Sequence, residues 1–153
     1  MLAPAITPEI RSALSADAAG IARLLPDLGY AATPEDVQRR LARIAHWPDQ
    51  EVLVAIVDGE IVGLCHLQGV PLIASDGYAE VQALVVSQAF QRRGIGAALL
   101  RQAVSWSRLR GYTRTRLRSG MHRHEAHLFY ESQGFAKARP SYAFECSDIV
   151  GDA

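Results

Sequence analysis

The sequence predicts a mixed α/β domain, a mixed sheet with helices on its faces in the order βααβββαβαββ. Three observations predict it. Runs rich in Val, Ile and Leu recur along the chain, and segments with apolar residues at helical spacing stand between them. An Asp-Gly pair also separates two of the apolar runs, which is a hairpin signal.

Ile6 to Leu14 forms the opening strand, and Ser15-Ala16-Asp17 after it is a helix start. Ala18, Ile21, Ala22, Leu24, Leu25 and Leu28 then recur at helical spacing, with Gly29 as the stop. Thr33 caps a second helix, Pro34 takes its first position, and Glu35 and Asp36 put acids in its first turn. Val37, Leu41 and Ile44 give this helix one apolar stripe, and Pro48 lies beyond its end. Glu51 to Val57 and Ile61 to Val70 are strands joined at Asp58-Gly59, and Tyr78 to Val86 is a further strand. Gly94 to Arg110 is a long amphipathic helix with Ile95, Leu99, Ala103 and Trp106 on one stripe and Gly111 as its cap. Thr113 to Arg118 alternates as a strand, Glu125 to Gln133 is a short helix, and Phe135 to Phe144 contains the closing strands. No repeat, linker or low-complexity tract interrupts this order.

A chain of 153 residues is one ordinary domain, spanning residues 1–153. Its 49% hydrophobic and 21% charged residues argue against disorder. The longest aliphatic run, Val52 to Val57, is far below the ~18 apolar residues of a membrane helix. The N-terminus has no basic region ahead of an apolar stretch, so no secretory signal is expected. Cys65 and Cys146, unclustered, fit two reduced thiols in a cytoplasmic protein better than a disulfide framework or a zinc ribbon.

The net charge is zero, but it is unevenly spread. Residues 1–80 carry 11 acids against 5 arginines, whereas residues 81–124 carry nine arginines and no acid. Compositional drift with solvated arginine faces is one reading of this; a middle third that meets an anion is the other.

The stretch Gln91-Arg92-Arg93-Gly94-Ile95-Gly96-Ala97 bears on that choice. Two glycines stand in the first turn of a helix otherwise made of good helix formers, and each costs up to about 1 kcal/mol against alanine. A tight turn or close helix–sheet packing is a structural reason. The functional reason is close approach of an anion to exposed helix N–H groups, which no Ser, Thr, Asp or Asn before Gly94 caps. Arg92 and Arg93 add charge at the same place, which makes a pyrophosphate seat. A dinucleotide fingerprint would want a glycine at Leu99 and an acid ~20 residues later, where Arg114, Arg116 and Arg118 stand. A P-loop needs Gly-Lys-Ser/Thr, and the one lysine of the chain is Lys137.

With these residues in place, the sequence resembles the GNAT superfamily of acetyl-coenzyme A dependent N-acetyltransferases. Gln91 to Gly96 matches that family's Q/R-x-x-G-x-G/A loop, and Phe129-Tyr130-Glu131-Ser132-Gln133-Gly134-Phe135 matches its F/L-Y-E-x-x-G-F run. The element order agrees too, so the resemblance covers nearly the whole chain and implies a mostly antiparallel central sheet flanked by helices. It also implies an acetyl-CoA cosubstrate and no metal. Gln91, Arg92, Arg93, Gly94, Ile95, Gly96 and Ala97 would hold the coenzyme pyrophosphate. The backbone of Leu84, Val85 and Val86 would pair with pantetheine, and the Leu84 N–H would polarise the acetyl carbonyl as an oxyanion donor. Where many members place an asparagine on pantetheine, seven residues before the motif tyrosine, this chain has Arg123.

Amide formation from a thioester needs a proton removed from the amine and one delivered to the thiolate. The resemblance makes Tyr130 the acid and the coenzyme's sulfur its target; a core aromatic beside Phe129 and Phe135 is the structural alternative. Glu80 lies eleven residues before Gln91, where some protein acetyltransferases of the family place their general base, so the resemblance makes it the candidate base; a strand-end surface carboxylate is the structural alternative. His122, His124 and His127 form no recognisable zinc pattern. Cys65 and Cys146 read as strand thiols before acyl-cysteine nucleophiles. Arg114, Arg116 and Arg118 share one strand face, either solvated or set toward coenzyme phosphate or an acidic acceptor.

The expected activity is acetyl transfer to a primary amine of a small molecule by direct attack in a ternary complex. A peptide or protein amine acetyltransferase and a non-catalytic acyl-CoA sensor are the alternatives. A nucleic-acid binder would need interleaved aromatics or a recognised module, and neither nucleic acid nor membrane is expected as a partner. A homodimer is left open. By the resemblance, acceptor choice falls to the segments before the Gly59 hairpin and near the C-terminus, here Leu25 to Trp47 and Ala138 to Asp148, which offer Tyr30, His46, Trp47, Tyr142 and several acids.

Overall fold

Each apolar run finds a neighbour in a five-stranded sheet of order β1-β2-β3-β4-β5. The strands are β1 (Glu9–Ser12), β2 (Gln50–Val57), β3 (Glu60–Val70), β4 (Tyr78–Val86) and β5 (Thr115–Leu117). The first three pairings are antiparallel and β4–β5 is parallel, which makes the sheet mixed and mostly antiparallel. The helices are α1 (Ala18–Leu24), α2 (Pro34–Ala45), α3 (Ile95–Leu109) and α4 (His124–Ser132). The computed structural model describes residues 3–147. They fall into two compact units, Met1–Arg118 with the sheet and α1 to α3, and Ser119–Ala153 with α4.

The local signals act as expected. Thr33 accepts from the Asp36 N–H at 3.1 Å while Asp36 accepts from the Thr33 N–H at 3.1 Å, a reciprocal box that starts α2. Asp58 and Gly59 both take positive φ, 50° and 78°, the twist a two-residue hairpin between β2 and β3 demands. α1 continues as a turn of 3₁₀ helix over Leu25–Leu28 and ends at Gly29.

Strand alternation divides the core between two faces. Val54, Leu64 and Val85 pack with Ala18, Ile21, Leu24 and Val37 of α1 and α2. Their sequence neighbours Ala55 and Gly63 face α3, where a Cβ on Gly63 would meet Leu99 Cδ1 at 3.0 Å. Ile95, Leu99, Leu100 and Ala103 of α3 are fully buried, and each large side chain of this kind contributes about 1.5–3 kcal/mol. Among the described residues no helix is long and apolar enough to cross a membrane.

The C-terminal end differs from expectation. No strand follows α4 among the described residues, so the two closing strands within Phe135 to Phe144 are not formed there. Pro140 offers no N–H to a ladder, Tyr142 and Phe144 stay 87% and 94% exposed, and a strand pair without a third partner is marginal in water. Asp148, the end of the C-terminal acceptor segment, lies outside the described residues. β1 and β5 are also shorter than their sequence patterns, β1 starting only after Pro8.

Asp17 locks the entry to α1. Arg11 donates to its two carboxylate oxygens at 2.7 and 2.9 Å, and the Leu14 N–H donates at 2.7 Å. The Arg11 guanidinium, helped by that N–H and opposed by burial, holds the Asp17 carboxyl below the usual carboxylate range. A depressed carboxyl stabilises the fold above its unfolded value of ~3.9 and loses this as pH falls through its own lower value. Asp17→Asn should therefore cost about 2 kcal/mol at pH 7 by denaturant titration, with a smaller gap to wild type at pH 2.5. An equal gap at both values would mean that the ion pair contributes nothing.

Candidate functional site

The sheet opens along β4. One side of β4 pairs with β3 throughout, but the other meets β5 only at Ala79, Glu80 and Val81. Val81 stands opposite Leu67 and Ala83 opposite His66, so Gln82 is one residue too many and bulges. Beyond the bulge, the Ser87 N–H donates to the Val62 carbonyl of β3 at 2.8 Å. Antiparallel alternation counted back from that bond turns the N–H and C=O of Val86 and Leu84 away from β3. They face the edge that β5 leaves unpaired among the described residues. An extended ligand can add there as a strand would.

The strand runs directly into the glycine loop. A single turn of 3₁₀ helix, Gln88–Phe90, leads to Gln91, whose side-chain amide donates to the Val86 carbonyl at 3.1 Å. Arg92 has φ 60° and Gly94 φ 88°, so the loop curls back on itself before α3. Gly94 thus stands at the N-cap in the left-handed region that favours glycine, and only Gly96 lies in the first turn. This corrects the sequence reading, which placed both inside the helix. No side chain caps α3. The Ala98 N–H donates to the Gly94 carbonyl at 3.0 Å, so the N–H groups of Ile95, Gly96 and Ala97 precede the helical ladder.

A brace from the N-terminal segment fixes this loop. The Ile6 N–H donates to the Arg93 carbonyl at 2.9 Å and Arg93 Nε to the Pro4 carbonyl at 3.4 Å. Buried Ile95 anchors the other side. The result is a braced run of backbone N–H groups at the start of α3 with Arg92 and Arg93 beside it, suited to a diphosphate.

Glu80 is 8% exposed, and Arg118 Nε lies 3.3 Å from its Oε1. Arg116 stands beside Glu80 in the β4–β5 register, with its guanidinium 4.3 Å from the centroid of the Tyr78 ring. Arg114 lies 5.6 Å over the same ring. The three guanidiniums predicted to share a face therefore do so, each with a protein partner.

On this face the sheet also carries a groove of about 370 Å³ lined by Arg43, Ile44, Trp47, Gln50, His66, Gln68 and Gln82. Trp47 was expected near the acceptor; the polar floor was not. His66 Nε2 lies 2.7 Å from Gln50 Oε1, and Gln82 Nε2 donates to Gln68 Oε1 at 2.9 Å. Gln50 Oε1 only accepts, so Nε2 carries the His66 proton and Nδ1 the lone pair. Burial pulls the His66 pKa below its ordinary value. The signal in the sequence was faint: His66 and Gln68 are polar at i and i+2 in a strand otherwise apolar. Cys65, on the opposite face, is pushed up to about 12 by burial, which removes it as a nucleophile at neutral pH. Cys146, in the second unit, is exposed.

In the second unit Tyr130 lies on α4, 5.5 Å from Phe129 and 6.5 Å from Phe135 by ring centroids. The Phe135 N–H donates to the Tyr130 carbonyl at 3.0 Å and the Gly134 N–H to the Glu131 carbonyl at 3.1 Å. With Gly134 at φ 90°, these bonds form a Schellman cap. Arg123 is the exposed N-cap residue of α4, its carbonyl accepting from the His127 N–H at 3.1 Å. His127 Nε2 lies 2.9 Å from the Gly120 carbonyl and donates to it, and His124 meets the His127 ring edge-on at 6.0 Å. His122 stands one residue ahead of this N-cap.

Comparison with known proteins bears on the fold and the family. Searching curated protein sequences gave no match. Among solved structures, a putative acetyltransferase from Agrobacterium tumefaciens superimposes with a TM-score of 0.82 at 24% identity, over 90% of this chain and 99% of that one. A Bacillus halodurans structure described as a transcriptional regulator gives 0.82 at 25% identity, over 92% and 100%. Glucosamine-6-phosphate N-acetyltransferase from Arabidopsis thaliana gives 0.80 at 19%, over 92% and 99%. Residues 20–135 match the sequence profile of the Acetyltransferase (GNAT) family. The chain belongs to the GNAT acetyltransferase family.

Proposed function

We propose that the chain moves an acetyl group from acetyl-CoA to a primary amine of a small molecule, by direct attack in a ternary complex. One observation carries the reading: the edge of β4 that β5 does not reach, at Leu84 to Val86, leads straight into the donor-lined loop before α3. In this reading the loop from Gln91 to Ala97 holds the pyrophosphate, with the N–H groups of Arg92 to Ala97 as donors. Pantetheine pairs with Leu84 to Val86, and Arg123 reaches a coenzyme oxygen. The amine lone pair attacks the thioester carbon while the Leu84 N–H stabilises the developing oxyanion. The C–S bond then breaks, Tyr130 gives its proton to the thiolate, and the amide nitrogen loses one to a base. The reduced thiols of Cys65 and Cys146 suit a cytoplasmic setting. Release of free CoA from acetyl-CoA with an amine panel tests the reaction. Binding without release by any amine would favour an acyl-CoA sensor.

Glu80 is the proposed base, and Glu80→Gln should lower kcat/KM most at low pH, where acceptor amines are protonated. A ratio to wild type that stays flat across pH would remove Glu80 from the role. His66 is the second reading, favoured by the Nδ1 lone pair that its contact with Gln50 leaves. Its lowered pKa keeps it neutral, and so able to accept a proton, to lower pH than an ordinary histidine. In that case activity falls through a limb below pH ~6.5 that His66→Asn abolishes.

A further inference from the structure

The coenzyme reading uses the β4 edge and the loop before α3, and it leaves the charge of the sheet face beside α2 unexplained. Cross-strand contacts fix what that face carries. Gln68 is the register partner of Glu80 and accepts from Gln82, while Glu80 pairs with Arg118 and stands beside Arg116. Gln68 of the groove is therefore separated from Arg116 of β5, and from Arg114 and Arg118 that flank it, by Glu80 alone in the strand register.

Along this surface the charges are one-sided. Arg43 is the charged residue that lines the groove, and it does so with no carboxylate among the other lining residues. At the β5 side stand Arg114, Arg116 and Arg118 against Glu80, whose charge Arg118 already offsets. Arg114 and Arg116 lie over the Tyr78 ring, 5.6 and 4.3 Å from its centroid, which holds both positive charges on this side of the sheet face. A polycationic amine entering here meets like charge at both sides, whereas an anionic group is attracted throughout. The size of the groove suits a small molecule.

Resting on the transfer reaction above, we infer that the acceptor is a small amine carrying a carboxylate or phosphate. Its anionic group meets the guanidinium of Arg43, and its amine is turned toward Glu80 and the open β4 edge. The β5 arginines supply the surrounding positive potential. The amide pairs Gln50–His66 and Gln68–Gln82 give neutral hydrogen-bonding partners to the atoms between the two ends.

Matched amines test this with the intact chain and acetyl-CoA: glutamate against glutamine, glucosamine 6-phosphate against glucosamine, and spermidine as the polycation. The anionic member of at least one pair should have kcat/KM at least tenfold above its neutral partner, and the pair that responds distinguishes carboxylate from phosphate. The preference should weaken with added salt. Arg43→Gln should remove it by raising KM for the anionic member with kcat changed less than twofold, and Arg43→Glu should reverse it. Arg43 is exposed, so both variants should melt near wild type. Preference for spermidine, or an anion preference that survives in both Arg43 variants, overturns the proposal. So does the absence of CoA release with every amine while CoA still raises the melting temperature, an outcome that leaves the coenzyme seat standing. Loss of that thermal shift in wild type is the separate failure of the coenzyme reading.

Discussion

Gly96→Val abolishes the rise in melting temperature that CoA gives the wild-type protein. That rise should be roughly 5–10 °C at a hundredfold excess over Kd, since about 2.7 kcal/mol of linkage moves a domain of this size by that amount. A side chain at position 96 leans toward the helix N-terminus, because every Cα–Cβ bond in a helix tilts that way. A branched Cβ there lies over the N–H groups of Ile95, Gly96 and Ala97, which are the donors the pyrophosphate needs. The same change improves the helix itself, since valine has the better propensity. Loss of binding with an unchanged or raised melting temperature for the free protein is the expected pairing. Gly94→Val should also block binding, but at φ 88° it carries a left-handed penalty of about 1–2 kcal/mol and melts lower. CoA affinity unchanged in both variants would remove the pyrophosphate seat from the loop.

The contrast between these two glycines shows what was legible in the sequence. A helix start with uncapped donors could be read from Gln91 to Ala97, because capping chemistry is local. The φ of Gly94 could not, because the curl at Arg92 and Gly94 is shared with a brace from Pro4 and Ile6, nearly ninety residues upstream. The same division holds elsewhere. Thr33 with Asp36, and Asp58 with Gly59, announce their turns within a few residues. The bulge at Gln82 exists only in the register between β3 and β4, and nothing in Val81-Gln82-Ala83 marks it. Gln50, His66, Gln68 and Gln82 are ordinary polar positions until three strands align them into one floor. Tyr142 and Phe144 have a strand's alternation but no strand beside them among the described residues, so the pattern alone was misleading.

Tyr130→Phe separates the two roles that the motif around it allows. The Schellman cap accounts for much of the run from Tyr130 to Phe135: Gly134 takes the left-handed position, and Tyr130 and Phe135 close the outer bond through their backbones. Phenylalanine preserves those backbone bonds and the ring contacts with Phe129 and Phe135. If capping and packing were the whole function, the substitution would cost about 1 kcal/mol of stability at most and leave turnover intact. If the hydroxyl protonates the departing thiolate, acetyl-CoA binds as before and kcat falls by ~10² or more. The thiol of CoA resembles a cysteine, with a pKa near ~8.5, so its need for an acid is greatest where the amine attacks fastest and thiolate loss limits the rate. The deficit should therefore grow with the nucleophilicity of the acceptor. A raised KM for acetyl-CoA with normal turnover at saturation would instead make the hydroxyl a binding contact. The expected result is the fall in kcat at unchanged acetyl-CoA affinity, because Tyr130 stands where the family's motif places the tyrosine that protonates the coenzyme sulfur, and the cap accounts only for the backbone of the run.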